Sequence, residues 1–221
     1  TMSHELRTPL NAILGFAQLM ETDPDFPLPE PHLDALQEIH TAGNHLLQLI
    51  DEVLDLGRID AGRVEMEISE VDADDVIREC LRLLLPAAAN KGIAIEYLNR
   101  GDAAPAALVR ADRFRLKQVL LNLLNNAIKY NRPDGRVWVS CEPADTRWRI
   151  SVRDSGLGLT AEQCEQVFEP FVRVSADREQ VEGTGMGLPI ARRLMELMQG
   201  ELRVDSQPGE GSDFWLKIPA A

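Results

Sequence analysis

The chain has 221 residues, of which 44% are hydrophobic, so it is long enough for one large or two small packed domains. Its formal net charge is −13 at pH 7, and no lysine or arginine cluster is interleaved with aromatic residues. Both features oppose binding to a phosphate backbone, so we exclude nucleic acid as a partner and expect no membrane contact by this stretch.

The first predicted element is a helix from the start of the chain to about Glu21. At 100° per residue its apolar positions fall on one face, whereas His4 and Thr8 fall nearly opposite. Pro9 lacks an N–H and crowds the carbonyl of Glu5, so the helix should bend one turn beyond the histidine. A lone histidine on such a helix is most often an ordinary exposed side chain, and His4 becomes a candidate reactive group only through its neighbours.

A second helix is predicted after a loop at 22–31 that contains four prolines. Its apolar seam has the alternating spacing of three and four that is typical of helical bundles. Two helices joined by a loop have too little area for a core of their own, so we predict a homodimer in which two hairpins form a four-helix bundle. The alternative is a single hairpin packed on the second domain. The seam positions are Leu33, Leu36, Ile39, Gly43, Leu46, Ile50, Val53 and Gly57.

The composition changes near Gly62, which predicts one domain over 1–62 and another over 63–221. The second domain begins with an alternating stretch at 64–68 that predicts a strand. Thr160 and Gln163 have the spacing of a capping box at the start of a helix. Helices mixed with antiparallel strand pairs predict an α+β sandwich. The further helices are expected at about 74–90, 113–131, 161–168 and 187–198, and the further strands at 93–98, 108–110, 136–141, 147–153, 201–205 and 213–218.

The helix at 113–131 carries a polar stripe formed by Gln118, Asn122, Asn126 and Lys129. Asparagine is a poor helix former, so a row of it within a helix indicates that the amides bind something. One neutral amide oxygen from Asn126, together with nucleotide oxygens and water, would suit Mg²⁺, and Lys129 would supply positive charge for phosphates. The ordinary alternative is a solvated polar face.

Two glycine motifs follow. Asp154, Gly156 and Gly158 come directly after a strand, where glycines allow close approach to a flat ligand and a carboxylate can accept a hydrogen bond from an amine such as adenine N6. A glycine turn with a surface aspartate is the alternative, and a Rossmann site is excluded because no acid ends a strand about 20 residues later. The second motif, Gly183-Thr184-Gly185-Met186-Gly187-Leu188, opens a helix whose free N–H groups can meet phosphate, although a flexible turn would look similar.

The segment Ser3-His4-Glu5-Leu6-Arg7-Thr8-Pro9-Leu10 resembles the H box of sensor histidine kinases. Four later motifs follow along the chain: Asn122 with Asn126, Asp154-x-Gly156-x-Gly158, Phe168-x-x-Phe171 and Gly183-x-Gly185-x-Gly187. Their order resembles that of the N, G1, F and G2 boxes of the ATP-binding domain that these kinases share with gyrase, Hsp90 and MutL. The resemblance covers nearly the whole chain and implies a GHKL-type, or Bergerat, α/β sandwich after the hairpin.

The family's roles transfer to the matching positions of this chain. The resemblance implies that His4 is the phosphoacceptor, that Glu5 assists its deprotonation and that Thr8 places water for a phosphatase reaction. It also implies that Asn126 binds Mg²⁺ and that Asp154 binds adenine. The remaining nucleotide contacts that it implies are Asn122, Lys129, Tyr130, Gly156, Gly158, Arg173 and the second glycine motif at 183–188.

The function implied is an ATP-dependent protein-histidine kinase that passes its phosphoryl group to an aspartate of a response-regulator receiver domain. An upstream sensor domain is expected in the full-length chain. Two rival functions are a nucleotide-driven clamp, which would have no use for His4, and a non-catalytic dimeric scaffold, which would be expected to have lost Asn126 or Asp154. Both rivals predict no acid-labile phosphoprotein.

A cytoplasmic location is expected for this stretch, whether or not the longer protein is anchored in a membrane. Its longest apolar segments are much shorter than the roughly 20 residues needed to span a bilayer. Three widely separated cysteines fit no zinc or disulfide pattern, which agrees with a reducing compartment.

Overall fold

The computed structural model describes residues 2–23, 27–98, 106–173 and 184–221, with side chains from Arg7 onward. The chain divides into two compact units, Thr1–Ala61 and Gly62–Ala221. No helix among the described residues has the length and apolar character needed to cross a membrane.

The first unit is a hairpin of two helices, α1 (Met2–Thr22) and α2 (Glu30–Asp60). The helices approach closely where Gly43 faces Leu14, because a methyl group at Gly43 would overlap that side chain. Buried residues on both helices, including Leu10, Ala17 and Leu36, surround this contact. The predicted helical hairpin is therefore confirmed, with Leu14 in the contact, whereas Ile13 of the predicted packed face is exposed.

The start of the second helix differs from the prediction. Helix α2 already includes Pro31, since a proline in the first helical turn occupies a position where no N–H bond is needed. The helix continues through Gly57, the last predicted seam position, as far as Asp60. Three of the predicted seam residues, Ile39, Leu46 and Val53, are 42%, 48% and 44% exposed on the single chain.

The described residues of the second unit form two sheets and four helices. Strands β1 (Ser69–Asp72) and β3 (Leu108–Ala111) form an antiparallel pair. The larger sheet has the order β2-β4-β5-β7-β6. Its strands are β2 (Ala94–Leu98), β4 (Arg136–Ala144), β5 (Arg147–Asp154), β6 (Glu201–Gln207) and β7 (Gly211–Pro219). The helices are α3 (Ala73–Asn90), α4 (Arg113–Lys129), α5 (Ala161–Gln166) and α6 (Gly187–Leu197).

The core lies between one face of the larger sheet and the helix layer formed by α3, α4 and α6. Alternate residues of β4, β5 and β7 are buried, as the two-residue period of a strand requires. The apolar stripe of α4 faces the same core, with Leu116, Leu120 and Leu123 almost fully buried. This arrangement is a two-layer α/β sandwich, and the predicted fold class is confirmed.

Two details of the second unit differ from the prediction. Residues 64–68 form no strand, because β1 begins only at Ser69, where it pairs with the four residues of β3. Helix α3 contains Pro86 and ends at Asn90, as predicted. Strand β2 pairs with β4 in parallel, so the larger sheet is mixed, with one parallel pair and three antiparallel pairs. The capping box of Thr160 and Gln163 is present at the start of α5.

Candidate functional site

The polar stripe of α4 meets the start of α6. The Nδ2 of Asn126 donates to the Oδ1 of Asn122 at 3.0 Å, as expected for residues one helical turn apart. A methyl group at Gly187 would overlap the amide of Asn122. The structure therefore brings the two predicted asparagines and the second glycine motif into contact, although they are about 65 residues apart in sequence.

The end of α4 meets the first glycine motif. The N–H of Leu157 donates to the carbonyl of Tyr130 at 3.3 Å, and a methyl group at Gly156 would overlap the same carbonyl. The Lys129 ammonium lies 5.2 Å from the centre of the Tyr130 ring. Burial raises the pKa of Tyr130, and the charge of Arg173 opposes this rise. Tyr130, Lys129 and Arg173 thus lie together, next to the first glycine motif.

Asp154 is the buried acid of the site, with a residue exposure of 5%. Its Oδ1 accepts hydrogen bonds from the N–H groups of Gly156 at 2.8 Å and Ser212 at 3.4 Å. Burial raises the pKa of Asp154 to about 6, and the two N–H donors limit that rise. Because both bonds use one oxygen, the other oxygen can accept a hydrogen bond from an amino group of a ligand.

The segment after α5 returns to the second glycine motif. The N–H of Phe171 donates to the carbonyl of Gly185 at 3.2 Å, and both residues have a positive φ, of 64° and 73°. The hydroxyl of Thr184 accepts from the N–H of Met186 at 3.2 Å, and the Met186 side chain is fully buried at the start of α6. Leu188 lies in the first turn of that helix. Gly183 lies outside the described residues.

The predicted phosphoacceptor region forms the first turns of α1. The side chains of His4 and Glu5 lie outside the described part of the structure, whereas Thr8 is exposed. Arg7 forms an ion pair with Asp51 of α2, with its Nε 2.8 Å and its Nη2 2.5 Å from the same carboxylate oxygen. This ion pair joins the H box on α1 to helix α2.

Asn131 is a residue that the sequence analysis did not identify. Its Nδ2 donates to the carbonyls of Ala127 and Arg136, both at 3.0 Å, and its Oδ1 accepts from the hydroxyl of Ser155 at 3.2 Å. Asn131 therefore links the end of α4 to the start of β4 and to the first glycine motif. Its position just after a helix did not indicate these long-range hydrogen bonds, since asparagine is common at helix ends.

Comparison with known proteins assigns families to both units. Residues 1–62 match the His Kinase A (phospho-acceptor) domain, and residues 111–221 match the histidine kinase-, DNA gyrase B- and HSP90-like ATPase family. The chain belongs to the sensor histidine kinase family, with a phosphoacceptor domain followed by an ATPase-type domain.

Individual relatives agree with this assignment. The chain is 36% identical over 219 residues to the histidine protein kinase DivJ of Caulobacter vibrioides, covering 99% of this chain and 36% of DivJ. The full-length kinase ShkA, solved in complex with AMPPNP, matches with a TM-score of 0.82 and 35% identity over 100% of this chain and 45% of that one. ThkA, solved in complex with the response regulator protein TrrA, gives a TM-score of 0.70 and 26% identity over 100% of this chain and 60% of that one. The chain thus spans about a third of the length of DivJ.

Proposed function

We propose that this chain is the catalytic core of a protein-histidine kinase that transfers the γ-phosphoryl group of ATP to His4. The observation that carries the proposal is the presence, in one chain, of a phosphoacceptor domain containing His4 and an ATPase-type unit with a buried acid, Asp154. A rival clamp function accounts only for the second of these units. The bound AMPPNP of ShkA supports ATP as the substrate.

The residues of the second unit fit a nucleotide. Asp154 offers a carboxylate oxygen to the amino group of adenine, and Gly156 fixes that carboxylate beside the end of α4, because its N–H donates to Asp154 and its backbone packs against the carbonyl of Tyr130. Lys129 and Arg173 are placed beside Tyr130, where their charge would neutralise phosphate oxygens. We expect ATP to bind along this surface, with its base at Asp154 and its phosphates toward α4.

The described residues also fit a magnesium ion held mainly by substrate. Among them there is no group of three or more histidine, cysteine or acidic side chains that could hold a metal ion. The amide nitrogen of Asn126 donates to Asn122, so the amide oxygen is the atom that could bind the metal. Mg²⁺ usually takes one or two protein oxygens with phosphate and water, and when bound it would neutralise charge on the phosphates.

The proposed transfer forms a bond between phosphorus and an imidazole nitrogen of His4 and breaks the bond between the γ-phosphorus and the bridging oxygen, so that ADP leaves with the electron pair. Glu5 would accept the imidazole proton. Aligned positioning and charge neutralisation supply most of the rate enhancement in such reactions. Thr8 would orient water for the proposed phosphatase reaction, in which phosphate is removed from the response regulator.

The partners follow from the exposed seam and from the relatives. Ile39, Leu46 and Val53 are apolar and exposed on the single hairpin, and pairing of two hairpins would bury them. We therefore propose a homodimer. ThkA was solved with a response regulator protein, which supports a receiver domain as the phosphoryl acceptor of this chain. An upstream sensor domain and a cytoplasmic location of the core complete the proposal.

The test is incubation of the chain with Mg²⁺ and γ-labelled ATP, followed by treatment of the labelled protein with acid and with base. His4→Ala should abolish an acid-labile, base-stable label. His32→Ala is the matched control, because His32 is an exposed histidine on the other helix of the same hairpin and should leave labelling unchanged. ATP hydrolysis without labelled protein would favour the clamp, and absence of ATP binding would favour the scaffold.

A further inference from the structure

The turn between β6 and β7 packs directly against the first glycine motif. The N–H of Gly209 donates to the carbonyl of Leu157 at 2.7 Å. A methyl group at Gly158 would overlap the carbonyl of Gln207, and one at Gly211 would overlap the carbonyl of Asp154. The two backbones are therefore in contact along the whole turn, and the position of one fixes the position of the other.

One hydroxyl lies at the centre of this contact. The Oγ of Ser206 accepts from the N–H of Leu159 at 2.8 Å, donates to the carbonyl of Gly211 at 2.8 Å and lies 3.0 Å from the hydroxyl of Ser212. A serine hydroxyl has one donor and two acceptor sites. With the Ser212 hydroxyl donating, all three sites of Ser206 are used.

Ser212 connects the Ser206 hydroxyl to the buried carboxylate of Asp154. The N–H of Ser212 donates to the carboxylate of Asp154, and Leu159 is the residue that follows Gly158 of the same motif. Ser206 therefore holds both ends of the segment from Asp154 to Leu159: one end through Leu159, the other through Ser212.

We propose that Ser206 is a positioning residue for recognition of the nucleobase: it sets the place of the Asp154 carboxylate, from one side through Ser212 and from the other through Leu159. This inference rests on the proposed ATP-binding function. Ser206 acts through other residues and does not itself contact the ligand. Its influence should be confined to the base end of the nucleotide, because none of its contacts reach Asn126 or Lys129.

Removal of the hydroxyl should change base selectivity more than general nucleotide affinity. Ser206→Ala leaves the N–H of Leu159 without its acceptor, and we expect ATP to bind roughly three- to tenfold more weakly, as for loss of one hydrogen bond. Binding of GTP should change little, because guanine has no amino group at the ring position that adenine presents to Asp154. The ratio of ATP affinity to GTP affinity should therefore fall by the same factor.

The experiment measures dissociation constants for ATP and GTP by calorimetry on the whole chain, together with the thermal unfolding temperature of each variant. Ser206→Thr keeps the hydroxyl and should restore most of the ratio. Ser151→Ala is the matched control, because its hydroxyl also accepts a hydrogen bond in the same sheet, from Arg149 at 3.2 Å, but on the opposite face. It should leave the ratio unchanged.

Each outcome is decisive for one proposal. A wild-type chain that does not bind ATP contradicts the proposed function itself. A wild-type chain that prefers ATP, with the same preference in Ser206→Ala, refutes the positioning role alone. A lower unfolding temperature without a change in the ratio would show that Ser206 is only structural, and would also overturn the inference.

Discussion

Replacement of Asp154 by asparagine should make the second unit more stable at neutral pH and weaken its binding of ATP. The Asp154 carboxyl is almost completely buried, and burial disfavours its charged form. Asparagine has nearly the same shape and keeps an oxygen that can accept from the N–H of Gly156, but it carries no charge to bury. The same charge is the acceptor that we propose for the amino group of adenine.

The magnitude follows from the difference between the folded and the unfolded pKa. The pKa of Asp154 is about 6 in the folded chain, and 3.8 is the ordinary value that applies when the side chain is exposed in the unfolded chain. At pH values below 3.8 the carboxyl is protonated in both the folded and the unfolded chain, and burial has no electrostatic cost. Between pH 3.8 and about 6 only the unfolded chain loses the proton, so stability falls, and above pH 6 the folded chain is ionised as well and the loss is complete. The full cost above pH 6 is about 3 kcal/mol, and about half of it is already present at pH 5.

The expected result is a gain in unfolding free energy of roughly 1–3 kcal/mol for Asp154→Asn at pH 7.5, and a smaller gain at pH 5. Urea unfolding followed by tryptophan fluorescence measures it, because all three tryptophans, Trp138, Trp148 and Trp215, lie in the unit that contains Asp154. In the wild type, ATP affinity should fall as the pH decreases through about 6, since protonation removes the acceptor.

The control for this prediction is Asp145→Asn, a change at an exposed turn residue with φ 56°, a conformation that asparagine tolerates. It should leave the unfolding free energy at pH 7.5 unchanged. The reasoning is refuted if Asp154→Asn is less stable than the wild type at pH 7.5, because the hydrogen bonds of the carboxylate would then outweigh the cost of burying it.

Three further predictions concern other parts of the chain. Gly158→Ala should destabilise the second unit more than Gly209→Ala, because both glycines have a positive φ but, of the two, Gly158 alone lacks space for a methyl group. Urea unfolding measures the difference in unfolding free energy, and equal losses in the two variants would contradict the packing argument. Exchange of the charges of Arg7 and Asp51 should recover the stability lost in either single reversal. The coupling energy between the two residues should be below about 1 kcal/mol, because both side chains are nearly half exposed. A double-mutant cycle on thermal unfolding measures it, and a coupling energy of zero would show that the ion pair has no energetic role. Burial raises the pKa of the Cys80 thiol to about 11, so its alkylation at pH 8 should require unfolding, and rapid alkylation of the folded chain, located by peptide mass spectrometry, would be inconsistent with this burial.

The sequence was sufficient to predict the fold class, and it identified candidate residues that the structure brings together, because its motifs depend on local geometry. The step of four from Asn122 to Asn126 places both amides on one face of a helix, and their hydrogen bond confirms that spacing. A glycine such as Gly156 indicates close backbone approach, and the carbonyl of Tyr130 is the group that approaches. The sequence did not indicate which distant segment supplies the group that contacts each motif.

The wrong predictions have the same origin. The alternation of residues 64–68 is a strand pattern, but β3 offers only four residues for pairing, so pairing begins at Ser69. Within the unpaired residues 64–68, the N–H of Glu67 donates to the carboxylate of Asp112 and not to a neighbouring strand. Ser206 was missed for a similar reason, because a polar residue in a strand has no distinctive pattern until the contact with Leu159 is known.

The costs concentrated at the site argue against a degenerate scaffold. Asp154 is buried with a raised pKa, Phe171 holds a positive φ that disfavours bulky residues, and Gly158 and Gly211 are confined by backbone carbonyls. The buried charge of Asp154 and the positive φ of Phe171 lower stability, and a substitution at either position could relieve that cost, whereas Gly158 and Gly211 have no space for a side chain. All four residues belong to the first glycine motif, to the turn that packs on it or to the segment that reaches the second motif. A protein that had lost nucleotide binding would have no reason to keep the buried charge of Asp154 and the strained backbone of Phe171.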